Sequence, residues 1–345
     1  MHNGILYLAG QGLKDMMLPI IGSELIVNLI MTLICIVIIF LLVAVSALVF
    51  TYRERRICAL IQVRIGPNRV GPQGLLQSTA DMLKLLTKED IIPVGIDRWM
   101  WVLSPILIFI PSAMIYALFP FDDGVIFADV NIGLFLLLAI SSQSVLPFLM
   151  GGYASNSKYS MLGGMRTVAQ MLAYEVPMVI SLLGIVMITG SLKMSAIVEA
   201  QSNVWFIFLQ PLAFLIYMTT ALVESNRPPF NIVEGESEII AGPFTEYTGM
   251  RWALFFLAEF ANLLSIGILT SVLFLGGWQG PDFLPTQLWF WIKAFFMVIV
   301  YQWIGWTFPR LRIDTMLNFG WKVLLPLALI NLLLTGIGIY VVNAL

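Results

Sequence analysis

The sequence predicts an all-α fold: a polytopic membrane helix bundle of about eight transmembrane helices, with an amphipathic helix in its first long loop. Three observations carry this. Of the 345 residues 59% are hydrophobic and 11% charged, and the mean hydropathy is +0.93, more apolar surface than a soluble domain can hide. Apolar runs near 25–50, 99–119, 131–150, 167–190, 204–223, 253–275, 288–308 and 323–342 approach the roughly 20 residues that a bilayer crossing needs. The basic residues fall almost wholly on one side of those runs. The whole chain, 1–345, reads as one transmembrane domain.

Taken in order, the first run follows a mixed segment, Gly4 to Gly22, that holds Lys14 and Asp15. It lacks the basic region, short apolar core and cleavage site of a signal peptide, so the first long run is expected to do the targeting. The loop expected over Thr51 to Arg98 opens with Tyr52-Arg53-Glu54-Arg55-Arg56. It then passes through Arg64-Ile65-Gly66-Pro67-Asn68-Arg69-Val70-Gly71-Pro72, whose glycines and prolines mark consecutive turns. From Leu75 to Lys88 the pattern becomes helical. Asp81, Lys84 and Lys88 share one face, and Leu75, Met82, Leu83 and Leu86 the other. Ser78 and Asp81 read as a capping pair. Such a helix either lies on the membrane surface or covers the underside of the bundle.

Several later spans carry Pro or Gly inside (Pro105, Pro111, Pro147, Pro177, Gly184, Gly267, Pro326), which a bundle tolerates where neighbouring helices satisfy the freed backbone groups. Fifteen of the eighteen Lys and Arg lie in the loops after spans one, three, five and seven; Lys14 and Lys193 lie opposite, and Lys293 falls within span seven. Those loops are therefore cytoplasmic or on an equivalent negative side, with both termini opposite. Lys293 is expected to snorkel toward the outer interface.

The acids point to function. Five glutamates, Glu224, Glu234, Glu236, Glu238 and Glu246, fall in the loop 224–252 and face only Arg227 and Arg251. Pro228 and Pro229 stiffen its entry by fixing φ and removing two donors. Single glutamates remain inside apolar runs. Glu175 lies eight residues into its run, about 12 Å deep, and Glu259 about 9 Å. A charge at membrane depth costs about 3 kcal/mol on insertion scales. Burial disfavours the charged form of a carboxyl, and a group balanced between its forms can pass a proton or answer a nearby charge. The bland alternative is a glutamic acid hydrogen-bonded between helices.

Other chemistries are excluded by composition. Two cysteines, Cys35 and Cys58, and one histidine, His2, cannot build a four-thiolate iron–sulfur cluster, a bis-histidine haem or a Cys/His zinc site. One histidine also excludes most catalytic triads. Gly66 to Gly74 lacks the dinucleotide fingerprint, so nicotinamide and flavin binding are not expected. No basic stripe suggests nucleic acid.

The long ordered motifs carry a resemblance. Glu54-Arg55-Arg56, Arg64 to Gly71, Ala80-Asp81-Met82-Leu83-Lys84, Lys88-Glu89-Asp90, Ser157-Lys158-Tyr159-Ser160 and Tyr174-Glu175 take part in it. So do Glu224 to Phe230, Glu234 to Glu238, Glu246-Tyr247, Gly276-Gly277-Trp278 and Phe319-Gly320-Trp321-Lys322. From about residue 25 to the end the chain resembles the H-subunit family of proton-pumping NADH–quinone oxidoreductase, respiratory complex I, equivalent to the first mitochondrial NADH dehydrogenase subunit. The resemblance implies a subunit of a multi-subunit enzyme in a bacterial inner membrane, with no redox cofactor of its own and quinone as substrate. It implies contacts with membrane-arm subunits, with the iron–sulfur and quinone-site subunits of the peripheral arm, and with lipid. It implies a proton relay at Glu175, Glu224, Glu234, Glu236, Glu246 and Glu259. It implies quinone-site roles for Glu54, Arg55, Arg56, Arg64, Asp81, Lys84, Arg227 and Phe230. The chain departs at Asn231, where the family usually has Asp. A related hydrogenase anchor is the alternative within the family. A secondary transporter is the alternative outside it, and would ordinarily show internal repeats; none is evident between 25–190 and 204–342.

Overall fold

The computed structural model describes Lys14, Met16, Pro19 and residues 23–344 apart from 234 and 282. His2 lies outside them. The helices are α1 (Glu24–Ile61), α2 (Gln77–Thr87), α3 (Arg98–Met114), α4 (Gly133–Ser142), α5 (Val145–Ala154), α6 (Lys158–Thr189), α7 (Pro211–Glu224), α8 (Gly249–Phe274), α9 (Thr286–Thr307), α10 (Ile313–Phe319) and α11 (Leu325–Ala344), with short turns between them. Among the described residues, seven helical stretches are long and apolar enough to cross a membrane, and α7 is a shorter apolar helix. The protein is a polytopic membrane helix bundle.

The spans differ in detail from the apolar runs, for local reasons. The third bends between α4 and α5 at Gln143 and Ser144, because the ring of Pro147 displaces the carbonyl four residues back. The fifth breaks at Gln210, which has φ −131 and ψ 55; it precedes Pro211, and that position resists the α conformation. What remains is the 14-residue α7. The first helix runs eleven residues past the end of its apolar run, to Ile61, so Glu54, Arg55 and Arg56 sit on its last turns and the loop expected from Thr51 begins at Gln62. The fourth likewise starts at Lys158, which places Glu175 mid-helix.

The helix α8 is the centre of the bundle. Of its most apolar stretch 72% is buried, against 22% in α1 and 17% in the C-terminal stretch. It packs on α1, α2, α3 and α9, while α6 packs on α5, α7 and α11. The close approach of α8 to α9 needs Gly267: a Cβ there would stand 2.6 Å from the Val298 side chain and 3.0 Å from Ala294 O.

The amphipathic helix forms as expected, but its start does not. No side chain caps it; its N-cap is Leu76, and the Ser78 hydroxyl is buried without a partner. Asp81 is instead held by Arg55 at 2.5 Å and by the Gln77 amide at 3.2 Å, since α1 reaches far enough to present Arg55 to it. Leu75, Met82, Leu83 and Leu86 are exposed.

Lys293 does not snorkel to open solvent. It is 7% exposed. Its ammonium donates to Leu275 O at 2.6 Å, to Gly277 O at 3.2 Å and to Gln279 O, and lies 4.6 Å over the Trp205 ring. The last carbonyls of a helix lack intrahelical donors, and a cation at that end is favoured. Lys293 therefore fastens α9 to the turn that ends α8. Lys293→Met is expected to destabilise the protein by about 3 kcal/mol, the scale for buried carbonyls losing donors. Thermal dissociation of the chain from its purified assembly, unchanged from wild type, would contradict this.

Candidate functional site

Two half-buried carboxyls meet at the bend of the third span. Glu175 of α6 and Glu224, the last residue of α7, line a cavity of about 20 Å³ with Ser141, Ser142, Ser144, Tyr174 and Thr220. That is room for about one water. Ser141 and Ser142 stand beside the two carboxyls in the cavity lining, their hydroxyls donating 2.9 Å to Leu138 O and 3.0 Å to Ala139 O. The serines line the cavity where the span bends. The one local signal for this site is the polar run Ser141-Ser142-Gln143-Ser144 inside an apolar span, which the expected relay did not include. The Tyr174 hydroxyl donates 2.8 Å to Met316 O and fixes the wall between α6 and α10.

A second site begins three residues beyond Glu224. Arg227 Nη1 lies 2.6 Å from Glu54 Oε1, their side chains 12% and 13% exposed. The guanidinium carbon stands 4.4 Å from the centre of the Phe260 ring. The pair lines a cleft of about 260 Å³ with Thr51, Arg55, Cys58, Arg64, Phe256 and Trp306. Arg64 is steadied by Gln62 Oε1 at 2.6 Å. Next to this cleft lies a more apolar one of about 180 Å³ between α1, α2 and α8, walled by Ala44, Leu48, Met82, Leu85, Trp252 and Leu257. Its charged members are Arg55, Asp81 and Lys84, beside the hydroxyl groups of Thr51 and Ser78, and Thr51, Arg55 and Phe256 border both clefts.

The other expected residues are placed elsewhere. Arg56 Nη2 donates 2.8 Å to Gln73 O and Nε donates 3.1 Å to the Tyr52 hydroxyl, so it fastens the Gly71–Gly74 turn to α1. Phe230 is in the core, its ring 5.7 Å from that of Tyr174. In the glutamate-rich loop, Glu238 pairs with Arg166 of α6. Glu234 lies outside the described residues, and Glu236 is described by its backbone alone, in the short helix Glu236–Ile239. Glu246 is half-buried, as are Asn231 and, on α8, Glu259; none of the three lines the cavity or the two clefts. Beside Glu246, Tyr247 stacks on Trp101 at 5.0 Å and donates 3.2 Å to Trp101 O. Burial pushes its phenol up to about 12, so it stays a neutral donor. The Arg251 guanidinium also lies over Trp101, at 4.2 Å, and pairs with Asp90 at 3.0 Å, which ties the end of the first loop to α8. Among the described residues no group of three His, Cys, Asp or Glu is arranged to hold a metal.

A family model described as NADH dehydrogenase matches residues 33–336, most of the chain. The chain belongs to this NADH dehydrogenase family. Relatives named as the H subunit of NADH-quinone oxidoreductase agree with it. One from Carboxydothermus hydrogenoformans is 51% identical over 298 residues, 86% of this chain and 85% of its own length. One from Dehalococcoides mccartyi is 50% identical over 307 residues, covering 89% and 86%. One from Geobacillus kaustophilus is 49% identical over 304 residues, covering 86% and 91%. None of these three family members is named for a hydrogenase, so the hydrogenase alternative is not favoured.

Proposed function

We propose that this family member is the membrane subunit of a bacterial NADH–quinone oxidoreductase, that its clefts receive the quinone, and that its carboxyls at membrane depth couple quinone reduction to proton translocation. One observation carries the reading. The apolar cleft, the Glu54–Arg227 cleft and the Glu175–Glu224 cavity follow one another, the first two sharing Thr51, Arg55 and Phe256, the last two flanking the single turn from Val223 to Arg227. The names of the relatives support it.

In this reading the isoprenoid tail lies between α1, α2 and α8, where the lining is alkyl and aromatic. The headgroup approaches Arg55 and the Glu54–Arg227 pair, and Arg64 completes the cationic rim. Electrons arrive from iron–sulfur subunits of the peripheral arm. Reduction draws protons and adds negative charge, and in a weakly polarisable interior such a charge acts strongly on a carboxyl one helical turn away. Glu224 answers first and shares its proton with Glu175 across the cavity that both line. The loop glutamates Glu234, Glu236 and Glu246 respond at the mouth, and Glu259 continues the route on α8 toward other membrane-arm subunits. The basic loops face the cytoplasm, the peripheral arm docks there, and both termini face the opposite side.

The cleft assignment is tested by Met82→Trp, which fills the apolar cleft from α2. In the assembled enzyme KM for a long-tailed quinone is expected to rise about tenfold, a loss of roughly 1.4 kcal/mol of binding. A short-tailed analogue is expected to change less, and kcat to hold. Unaltered KM for both quinones would remove the tail from this cleft.

A further inference from the structure

Three backbone carbonyls converge on one point at the end of α8. The oxygen of Leu275 stands 2.6 Å from Lys293 Nζ, that of Gly277 stands at 3.2 Å, and Gln279 adds a third. The face of the Trp205 ring closes another side, its centre 4.6 Å from the nitrogen. Lys293 is 7% exposed, and among the described residues no carboxylate pairs with it.

The turn itself shapes this cage. Gly276 and Gly277 have φ +73 and +50, a conformation that glycine adopts at little cost, and the alternate carbonyls of 275, 277 and 279 then share one side. Bonds around the turn fix it. Gly276 N donates 2.9 Å to Gln201 Oε1, Gly277 N donates 2.8 Å to Ser271 O, and Gln279 Nε2 donates 2.6 Å to Val198 O. A Cβ would crowd Trp205 at 3.1 Å from Gly276 and Val198 at 3.0 Å from Gly277. An ammonium on a side chain has three hydrogens, and the three carbonyls take them. One more oxygen is left over. Gln279 Oε1 is buried without a hydrogen-bond partner, and it stands 3.3 Å from the same Cβ position of Gly276 that meets Trp205. Converging carbonyl oxygens can replace the hydration shell of a small cation, and an aromatic face attracts one.

We propose that the turn 275–279 is a binding site for a compact monovalent cation of the ammonium or potassium class, which the chain fills with its own Lys293 ammonium. The cage recognises a small positive charge, and the flexible four-carbon stem delivers it. The fastening of α9 to the end of α8 follows from that binding. Free ammonium has a fourth hydrogen and meets the three carbonyls and Gln279 Oε1 together.

The test removes the tether and offers the cation. In the assembled enzyme Lys293→Ala opens the space, and its thermal dissociation temperature is expected to fall below that of wild type. Ammonium chloride and methylammonium chloride are expected to raise it again, by about 3 °C for each tenfold in concentration once the site fills, and potassium chloride to act in the same direction. Choline chloride at equal ionic strength is expected to leave it low, because a trimethylated head is too broad and has no hydrogen to give. Wild type is expected to respond to the four salts alike. Lys293→Met keeps the space filled with an uncharged stem, so none of the salts should restore it. Lys293→Ser leaves similar space and one donor, and provides the same reading if Lys293→Ala does not assemble. If ammonium and choline act alike on the alanine and serine variants, or if ammonium restores Lys293→Met as fully as Lys293→Ala, the turn is not a cation site and the lysine only joins two helices.

Discussion

Glu224→Gln, introduced into the assembled enzyme, is expected to cut quinone reduction by about 10²-fold, the scale of a lost proton-transfer group, and to abolish pumping. KM for quinone should stay near wild type. Glutamine keeps the length and shape of the side chain, so packing is preserved and the titratable proton alone is lost. Glu175→Gln is expected to give the same defect, because both carboxyls line one cavity with room for about one water. The double variant should then be little worse than either single one, since groups acting as a unit are not additive. Quinone reductase rate and proton uptake are measured separately. If both stay at wild-type levels in both single variants, the two carboxyls have no part in coupling.

Arg227→Met is expected to fail earlier, at assembly. Glu54 is then left nearly buried and charged with no cation at 2.6 Å, and breaking a buried pair on one side costs about 3–5 kcal/mol. The amount of this chain in purified membranes should fall sharply. Adding Glu54→Gln removes the stranded charge, and the double variant should recover much of the assembly but not the activity. A single variant that accumulates normally, with a double variant no better, would show that the pair does not hold α1 against the turn after α7. The restored assembly also separates the pair's structural contribution from its chemistry, which KM for quinone alone would blur.

Much of this protein is legible in its sequence, and the exceptions have particular causes. The amphipathic helix expected over Leu75 to Lys88 spans Gln77–Thr87, because alternating faces repeat at the helical period. Its cap differs from the expected pair because Asp81 is recruited by Arg55 from α1, a partner 26 residues away. Lys293 has the pattern of a snorkelling side chain because its three carbonyl partners lie beyond the end of another helix. Of the expected site residues, Glu54, Arg55, Arg64, Arg227, Asp81 and Lys84 line two adjoining clefts, whereas Arg56 fastens a turn and Phe230 packs in the core. The run Ser141-Ser142-Gln143-Ser144 stands out in the sequence, but nothing in it says which carboxyls it will face. An isolated polar residue in an apolar run carries no mark of which neighbours it will face.

By itself the sequence determined the class of molecule: how many apolar runs, where proline interrupts them, on which side the positive charge collects, and where carboxyls enter the apolar layer. These follow from residues a turn or two apart, within reach of composition and period. Only the tertiary structure decided that Glu175 meets Glu224, that Glu54 meets Arg227 across 173 residues of chain, and that one turn separates the two sites. Those pairings depend on which helix faces pack together, a choice made by the shapes of many distant side chains at once.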